Sequence, residues 1–308
     1  MKPVRKAVLP VAGMGTRIQP AAKSTPKNLL NVYDRPILAH VVAEGRAAGI
    51  EHFVFITGRG QGAIEDYFDH NVELEAQLEA KGKTDILNDL LGELAKPGEM
   101  SFVRQMKPLG LGHAVWCARE VIGDEPFAVM LPDMLMDADV PALAQAVRAY
   151  DKVGGNLIVV EPCPEGEAHK YGIVALDGHA GRLNRMTGMV EKPPPGTEPS
   201  NLFISGRYIL QPEIFDLLAS QPRGAGGEIQ LTDAMARLMQ SQAFHAYEYD
   251  GVTYDCGDKI GLLRANVAFA LGRPDLHEAA RAAVAELLAS AEPCPSAQAD
   301  YRRGRARS

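Results

Sequence analysis

The sequence predicts an α/β fold, a mixed, mostly parallel sheet flanked by helices. The first sign is rhythm: short apolar runs such as Lys-Ala-Val-Leu-Pro-Val at 6–11 alternate with stretches whose apolar residues recur at helical spacing. Strands that read as apolar throughout belong to a sheet covered on both faces. The second sign is size and balance. A chain of 308 residues, 46% hydrophobic and 23% charged, can bury a core that needs no disulfide staples.

Taken in order, residues 6–11 form the first strand, running into a glycine-bearing loop. Residues 37–48 place Leu38, Val41, Val42 and Ala48 on one helical face, with Gly49 as C-cap. Residues 52–56 are a second strand and 61–68 a second helix. Further strands follow at 101–104 and 127–131, with a helix over 112–121 between them, and Val140, Leu143, Val147 and Tyr150 mark another helix. Residues 72–98 break the rhythm; charged and leucine-spaced, they read as a solvated helical insertion. After Asn156 the chain becomes richer in strands, at 157–160, 171–175, 202–210 and 244–249, with helices over 212–219, 229–239 and 258–271. An alanine-rich helix begins at Asp275, followed by Pro-Cys-Pro and an arginine-rich tail that reads as a solvated, disordered end.

A net charge of −7 argues against general nucleic-acid binding, so phosphate chemistry must rest on local cations. The four cysteines, Cys117, Cys163, Cys256 and Cys294, are far apart and form no metal-ligand spacing, as free thiols of a reducing compartment do. No apolar run approaches the roughly 20 residues of a membrane span, and the start runs directly into a strand without a signal-peptide core. A cytoplasmic protein is expected.

The most informative segment is VAGMGTRIQPAAKSTPKNLL, residues 11–30. Gly13 and Gly15 follow the first strand, where a backbone without Cβ atoms can wrap phosphates. The third glycine of a dinucleotide loop and the Gly-Lys-Ser/Thr of a P-loop are both missing. Arg17 and Lys27 supply fixed charge instead, the first as a planar fork and the second as a compact point. The glycines at 58, 60 and 62 read as a helix entry. Gln105, followed by Gly110 and Gly112, offers a side-chain amide with donor and acceptor, as a pyrimidine edge requires. Asp133 closes a parallel strand at its carboxyl end, where open α/β sheets bind ligands; it and Asp255 suit Mg²⁺. Asp137 and Asp139 read as helix N-caps, and His113 as a structural residue or a minor ligand contact. Glu191 beside Lys192 pairs a hydroxyl-binding carboxylate with a phosphate-binding ammonium, and Tyr171-Gly172-Ile173 can set backbone against a sugar.

Together these motifs resemble the bacterial UTP–glucose-1-phosphate uridylyltransferases, or UDP-glucose pyrophosphorylases, of the sugar-nucleotidyltransferase family. The resemblance covers about residues 6–271. It rests on AGMGTR, the Pro-Lys after it, TGR with AIEDYFD, RQ followed by PLGLGHAV, EPFAVMLPD, YGIV, MVEKP, PSNL with GRYIL, GAGGEIQLTDA and YDCGDK. It implies a Rossmann-like, glycosyltransferase-A-like nucleotidyltransferase domain over 1–272, with a nucleotide half at about 1–155, a sugar-phosphate half at about 156–272 and the insertion at about 72–98. Residues 273–308 would be a C-terminal helix and basic tail. It further implies that Ala12, Gln105 and Gly110 read uracil, that Gly13 and Gly15 cradle phosphates, and that Arg17, Lys27 and Lys192 are the catalytic cations. Asp133 and Asp255 would hold Mg²⁺, and Gly172, Glu191 and Asn201 would contact glucose, with Lys192 on its phosphate. The implied ligands are UTP, glucose 1-phosphate, UDP-glucose and pyrophosphate, with no nucleic acid or membrane partner, in a homodimer or homotetramer.

Three positions depart from the family pattern. Asn28 stands where an acidic residue usually follows the lysine, Met134 where many members have a second aspartate, and Asn31 where a proline is common. Their place in the motifs predicts a slower or less base-selective enzyme that Asn28→Glu with Met134→Asp would speed. The reading leaves open another nucleotide, such as dTTP or CTP, another sugar 1-phosphate, and a weakly active regulatory paralogue.

Overall fold

The computed structural model describes residues 2–290. Strand β1 (Lys6–Pro10) is followed by a short hairpin, β2 (Asn31–Val32) and β3 (Arg35–Pro36), and by helix α1 (Ile37–Ala47). Next come β4 (His52–Thr57), α2 (Gly62–Tyr67), the helical pair α3 (Val72–Ala80) and α4 (Thr84–Glu93), and β5 (Met100–Arg104). Helices α5 (Leu111–Cys117) and α6 (Arg119–Ile122) precede β6 (Phe127–Met130), β7 (Met134–Asp137) and α7 (Ala142–Val153). The rest comprises β8 (Asn156–Pro162), β9 (Gly172–Leu176), β10 (Leu183–Glu191), β11 (Leu202–Leu210), α8 (Ile214–Ala219) and α9 (Leu231–Leu238). Strands β12 (Phe244–Glu248) and β13 (Val252–Asp255) then lead to α10 (Lys259–Gly272) and α11 (His277–Ser290). Cys294 and the basic tail lie outside the described residues.

The main sheet has nine strands in the order β5-β4-β1-β6-β11-β8-β12-β10-β9. β5, β4, β1 and β6 are mutually parallel. β11 runs against β6 and β8, and β10 against β12 and β9, so only these two oppose the common direction. β9 also pairs with β11 through Ile173 and Phe203, which curls the far end of the sheet back on itself. Alternation along the strands fills both faces. Val8, Val54 and Val129 pack under α5, α8 and α9, whereas Ala7, Leu9, Phe53 and Phe55 pack under α1 and α7.

The long apolar strands were readable; several short elements were not. Val252–Asp255 is half polar and too short for a period to show, yet it pairs with β7 to build one wall of the site. The helix expected over 112–121 breaks at Ala118 into α5 and α6. Asp137 and Asp139 do not cap α7: Asp137 ends β7, and the N-cap position is Pro141, whose fixed φ suits a helix entry.

Candidate active site

The parallel strands end on one side of the sheet, and the loops leaving them carry the marked residues. Val11, Ala12 and Gly13 follow β1, Gly58 follows β4, Gln105 follows β5 and Asp133 follows β6. They surround two cavities. The first, about 440 Å³, is lined by Ala12, Gly13, Lys27, Gly58, Arg59 and Gln105 among others. The second, about 630 Å³, is lined by Arg17, Asp133, Tyr171, Lys192 and Asp255 among others. A larger cavity of about 1010 Å³, between α7 and the ends of β10 and β12, collects none of the residues expected to act.

Lys27 and Asp133 join the two cavities: Lys27 Nζ donates to Asp133 Oδ2 at 2.5 Å, one residue lining each chamber. Burial alone would raise the Asp133 carboxyl, but the Lys27 charge and hydrogen bond, with help from Arg17, hold it below the usual carboxylate range. Arg17 Nη1 donates to Asp255 Oδ2 at 2.9 Å. The β13–β7 register sets Asp255 opposite Met134, next in sequence to Asp133, so two carboxylates distant in the chain share a wall. Gly257 lies between them. A Cβ there would come 2.5 Å from Arg17 Nη2, 2.8 Å from Asp255 Oδ1 and 2.9 Å from Asp133 Oδ2. Gly15 is a second enforced glycine, at φ 61 with a would-be Cβ 3.0 Å from the Lys27 Cβ. Gly13 faces looser space, its would-be Cβ 3.6 Å from Lys27 Cε.

On the other side, Glu191 Oε2 accepts from Thr232 Oγ1 at 2.7 Å, and a Cβ on Gly172 would lie 3.1 Å from the same oxygen. Lys192 follows at φ 48, a left-handed conformation that costs a lysine on the order of 1–2 kcal/mol. Its amide donates to the Tyr171 carbonyl at 2.9 Å, and its half-exposed ammonium is 3.7 Å from Glu191 Oε1. The Tyr171 hydroxyl, pushed up to about 12 by burial and then by Asp255, stays a neutral donor. Asn201 stands exposed before β11 and lines neither cavity; its carbonyl accepts from the Cys163 amide at 2.6 Å.

A buried pair that composition hides holds this site in place. Arg207 is 0% exposed and donates to Glu44 at 3.0 and 2.7 Å, to the carbonyls of Leu131 and Gly206 at 3.0 and 3.1 Å, and to that of Met134 at 2.9 Å. Leu131 and Met134 flank Pro132-Asp133, so the guanidinium grips the aspartate loop from both ends. In sequence Arg207 is a lone cation inside Gly-Arg-Tyr-Ile-Leu, quoted above only as a family motif; a charge set in an otherwise apolar strand is the signal that could have marked it. Gly257 was missed for a similar reason, since no motif grammar marks a single glycine. The 58–62 loop enters α2 as expected, yet Gly58, Arg59, Gly60 and Gln61 also line the first cavity.

The three departures sit differently from their expected place beside the nucleotide. Asn28 is 0% exposed and donates Nδ2 to the Val11 carbonyl at 3.2 Å, while its Oδ1 is buried with no partner among the described residues. Met134 packs with Ile173 and Phe203, though it also borders the second cavity. Asn31 lies in β2, where its carbonyl accepts from Asn266 Nδ2 at 3.3 Å on the α10 side. Asn28 therefore faces the Val11 carbonyl and is not among the residues lining the nucleotide chamber. A carboxylate there would replace a donor with an acceptor facing a carbonyl.

The nucleotidyl transferase family model matches residues 6–270. A Bacillus subtilis protein named UTP–glucose-1-phosphate uridylyltransferase is 46% identical over 278 residues, covering 90% of this chain and 95% of that one. A Staphylococcus epidermidis protein of the same name is 43% identical, covering 93% and 99%. Among solved structures, a UDP-glucose pyrophosphorylase of Acinetobacter baumannii and the UTP-bound enzyme of that organism each superpose with a TM-score of 0.86 at 42% identity, covering 92% of this chain and 99% of theirs. A UDP-glucose pyrophosphorylase complexed with UDP-glucose superposes with a TM-score of 0.78 at 34% identity, covering 88% and 100%.

Proposed function

The chain belongs to the nucleotidyl transferase family, and we propose that its two chambers join UTP to glucose 1-phosphate, giving UDP-glucose and pyrophosphate. The observation that carries the reading is the meeting of the chambers at Lys27 and Asp133, with Arg17 and Asp255 alongside. A glycine-walled chamber for a nucleotide, open at a cationic and acidic junction to a second chamber, suits transfer between two phosphates.

The nucleophile, a phosphate oxygen of glucose 1-phosphate, is anionic at neutral pH, so the site needs no general base. It attacks the α-phosphorus of UTP and pyrophosphate leaves in line, which makes positioning and charge the whole of catalysis. Ala12, Gly13 and Gly15 support the nucleotide, with Gln105, steadied by Gly110, at the base. Arg17 and Lys27 oppose triphosphate charge, and Lys192 meets the sugar phosphate. Glu191 accepts glucose hydroxyls, beside Gly172, whereas Asn201 lines neither chamber and takes no part in this arrangement.

Asp133 and Asp255 fit a divalent cation by the chemistry of the donor set: two carboxylates brought to one wall, now facing Lys27 and Arg17, and Mg²⁺ asks for few protein oxygens. Mg²⁺ held there would supply charge to the phosphate oxygens as the P–O bond changes hands. No described helix is long and apolar enough to cross a membrane, which accords with a cytoplasmic biosynthetic role. Ile260, Leu263, Leu287 and Leu288 are 59 to 74% exposed on α10 and α11, and exposed apolar side chains of this size support assembly of identical subunits.

Pyrophosphate release by purified protein, with Mg²⁺ and a panel of nucleotide and sugar 1-phosphate pairs, tests the reading. UTP with glucose 1-phosphate is expected to give the highest turnover. Release with no pair, or only with pairs lacking a uridine nucleotide, would overturn it.

A further inference from the structure

We infer that His113 supports the base specificity of the nucleotide chamber by holding, together with the Gly110 carbonyl, the Gln105 amide with its oxygen end left free; this rests on the reading of that chamber as the UTP site. Gln105 Nε2 lies 3.2 Å from the Gly110 carbonyl and 3.0 Å from His113 Nδ1. A carbonyl oxygen only accepts, so the amide nitrogen must be the end turned towards it. Its second hydrogen then points at His113 Nδ1, which must accept and therefore carries no proton, leaving the ring proton on Nε2. Burial holds the imidazole below its ordinary pKa, in keeping with a neutral ring. The ring is seated against Trp116, with centroids 5.9 Å apart, and Cys117 Sγ lies 3.9 Å from Nδ1.

With both amide hydrogens taken, Gln105 Oε1 is the group left over. No bond to it is found among the described residues, and it belongs to a largely buried side chain that lines the chamber. A fixed acceptor matches the N3–H of uracil or thymine and opposes the bare N3 lone pair of cytosine. The Gly110 carbonyl decides which end of the amide turns towards it, and without His113 the second amide hydrogen is left unbonded and that orientation is less firmly held. His113 closes that second direction, so it is a positioning residue for discrimination rather than a catalytic one.

The test compares kcat/KM for UTP and CTP, each with glucose 1-phosphate, in the unaltered protein and in His113→Leu and His113→Asn, alongside calorimetric binding of both nucleotides. His113→Leu is expected to lower the UTP-to-CTP ratio about tenfold, the worth of one hydrogen bond, chiefly through the nucleotide KM. The KM for glucose 1-phosphate and the thermal midpoint should stay near those of the unaltered protein. His113→Asn, whose carbonyl can accept in place of Nδ1, should recover most of the ratio. Equal loss for both nucleotides, or an unchanged ratio, would overturn the inference. Should the protein prove inert with every substrate pair, the functional reading fails, and the binding ratio in the variants still decides the role of His113.

Discussion

Arg207 and Glu44, 163 positions apart, form a buried two-pronged ion pair, at 3.0 and 2.7 Å, from which the Asp133 loop hangs. All five guanidinium N–H groups find acceptors, and Glu44 Oε1 also accepts from the Leu143 amide at 3.0 Å. Such a pair costs much desolvation, so its net contribution is small, but breaking one side strands a buried charge. Arg207→Met should therefore lower unfolding free energy by about 3–5 kcal/mol. Arg207→Met with Glu44→Met should recover part of that stability in urea melts, yet turnover should stay low because the Leu131 and Met134 carbonyls lose their clamp. Full recovery of turnover in the double variant would reduce the pair to packing.

Lys27 gives a pH test. A carboxyl held below its ordinary pKa contributes stability above the usual carboxylate range, and that stability is lost as pH falls through the folded-state value. In Lys27→Met the buried Asp133 loses its partner and rises instead. The stability gap between the two proteins should be widest near neutral pH and narrow on acidification towards about pH 4. Thermal midpoints across that range decide it; a gap independent of pH would remove the ion pair from the account. Turnover in the variant should fall about a hundredfold or more, as when one preorganised charge is withdrawn from a transition state.

Gly257 is the sharpest steric prediction. A methyl group there meets Arg17, Asp255 and Asp133 at 2.5, 2.8 and 2.9 Å; Asp255 ends β13, and Asp133 lies in the loop that Arg207 grips at both ends. Gly257→Ala should leave the fold intact by circular dichroism. It should raise the Mg²⁺ concentration for half-maximal turnover, as Asp133→Asn and Asp255→Asn should. An unchanged Mg²⁺ titration in all three would dissociate these carboxylates from the metal.

The sheet was legible because β1, β4 and β6 are short runs whose apolar residues face both ways, too short for a buried helix and bounded by turn residues. The phosphate loop was legible because glycines and cations sit close together in sequence. What escaped was whatever depends on two distant segments meeting. Asp255 reaches Asp133 only through the β13–β7 register, Arg207 finds Glu44 across the sheet, and Gly110 is pinned by Ile229, whose backbone oxygen would lie 2.8 Å from a Cβ there. The motif containing Ile229 was recognised as text, but its task, buttressing the base loop, is three-dimensional.

Glu191 separates the two substrates. Its carboxylate already accepts from Thr232, so one oxygen is oriented while Oε1 is left for a sugar hydroxyl and for Lys192 at 3.7 Å. Glu191→Ala should raise the KM for glucose 1-phosphate about ten- to a hundredfold, the worth of a hydrogen bond to a charged group, with little change in the KM for UTP. Equal weakening of both would make the glutamate a purely structural partner of Thr232.

Asn28 turns an expectation around. As sequence it is a lost charge beside the catalytic lysine, and restoring the charge promised a faster enzyme. In the fold the side chain points inward, its Nδ2 sharing the Val11 carbonyl with Gln61 Nε2 at 3.2 and 2.8 Å, while Gln61 Oε1 takes the Gly58 amide at 2.7 Å. This network ties the first glycine loop to the one after β4, and both line the nucleotide chamber. An acid at 28 has no hydrogen to give unless it is protonated, so it must either repel the Val11 carbonyl or be held neutral at a cost in stability. The orphaned Asn28 Oδ1 shows that the site offers no donor to reward a second oxygen. Asn28→Asp should thus destabilise the fold by about 1–3 kcal/mol, the penalty for leaving a buried polar group unpaired, and should lower UTP turnover. The deficit should shrink as acidification protonates the new carboxyl and returns a donor. Urea melts at pH 5 and pH 8 with parallel turnover assays check this, and a variant that is faster at both would restore the charge argument.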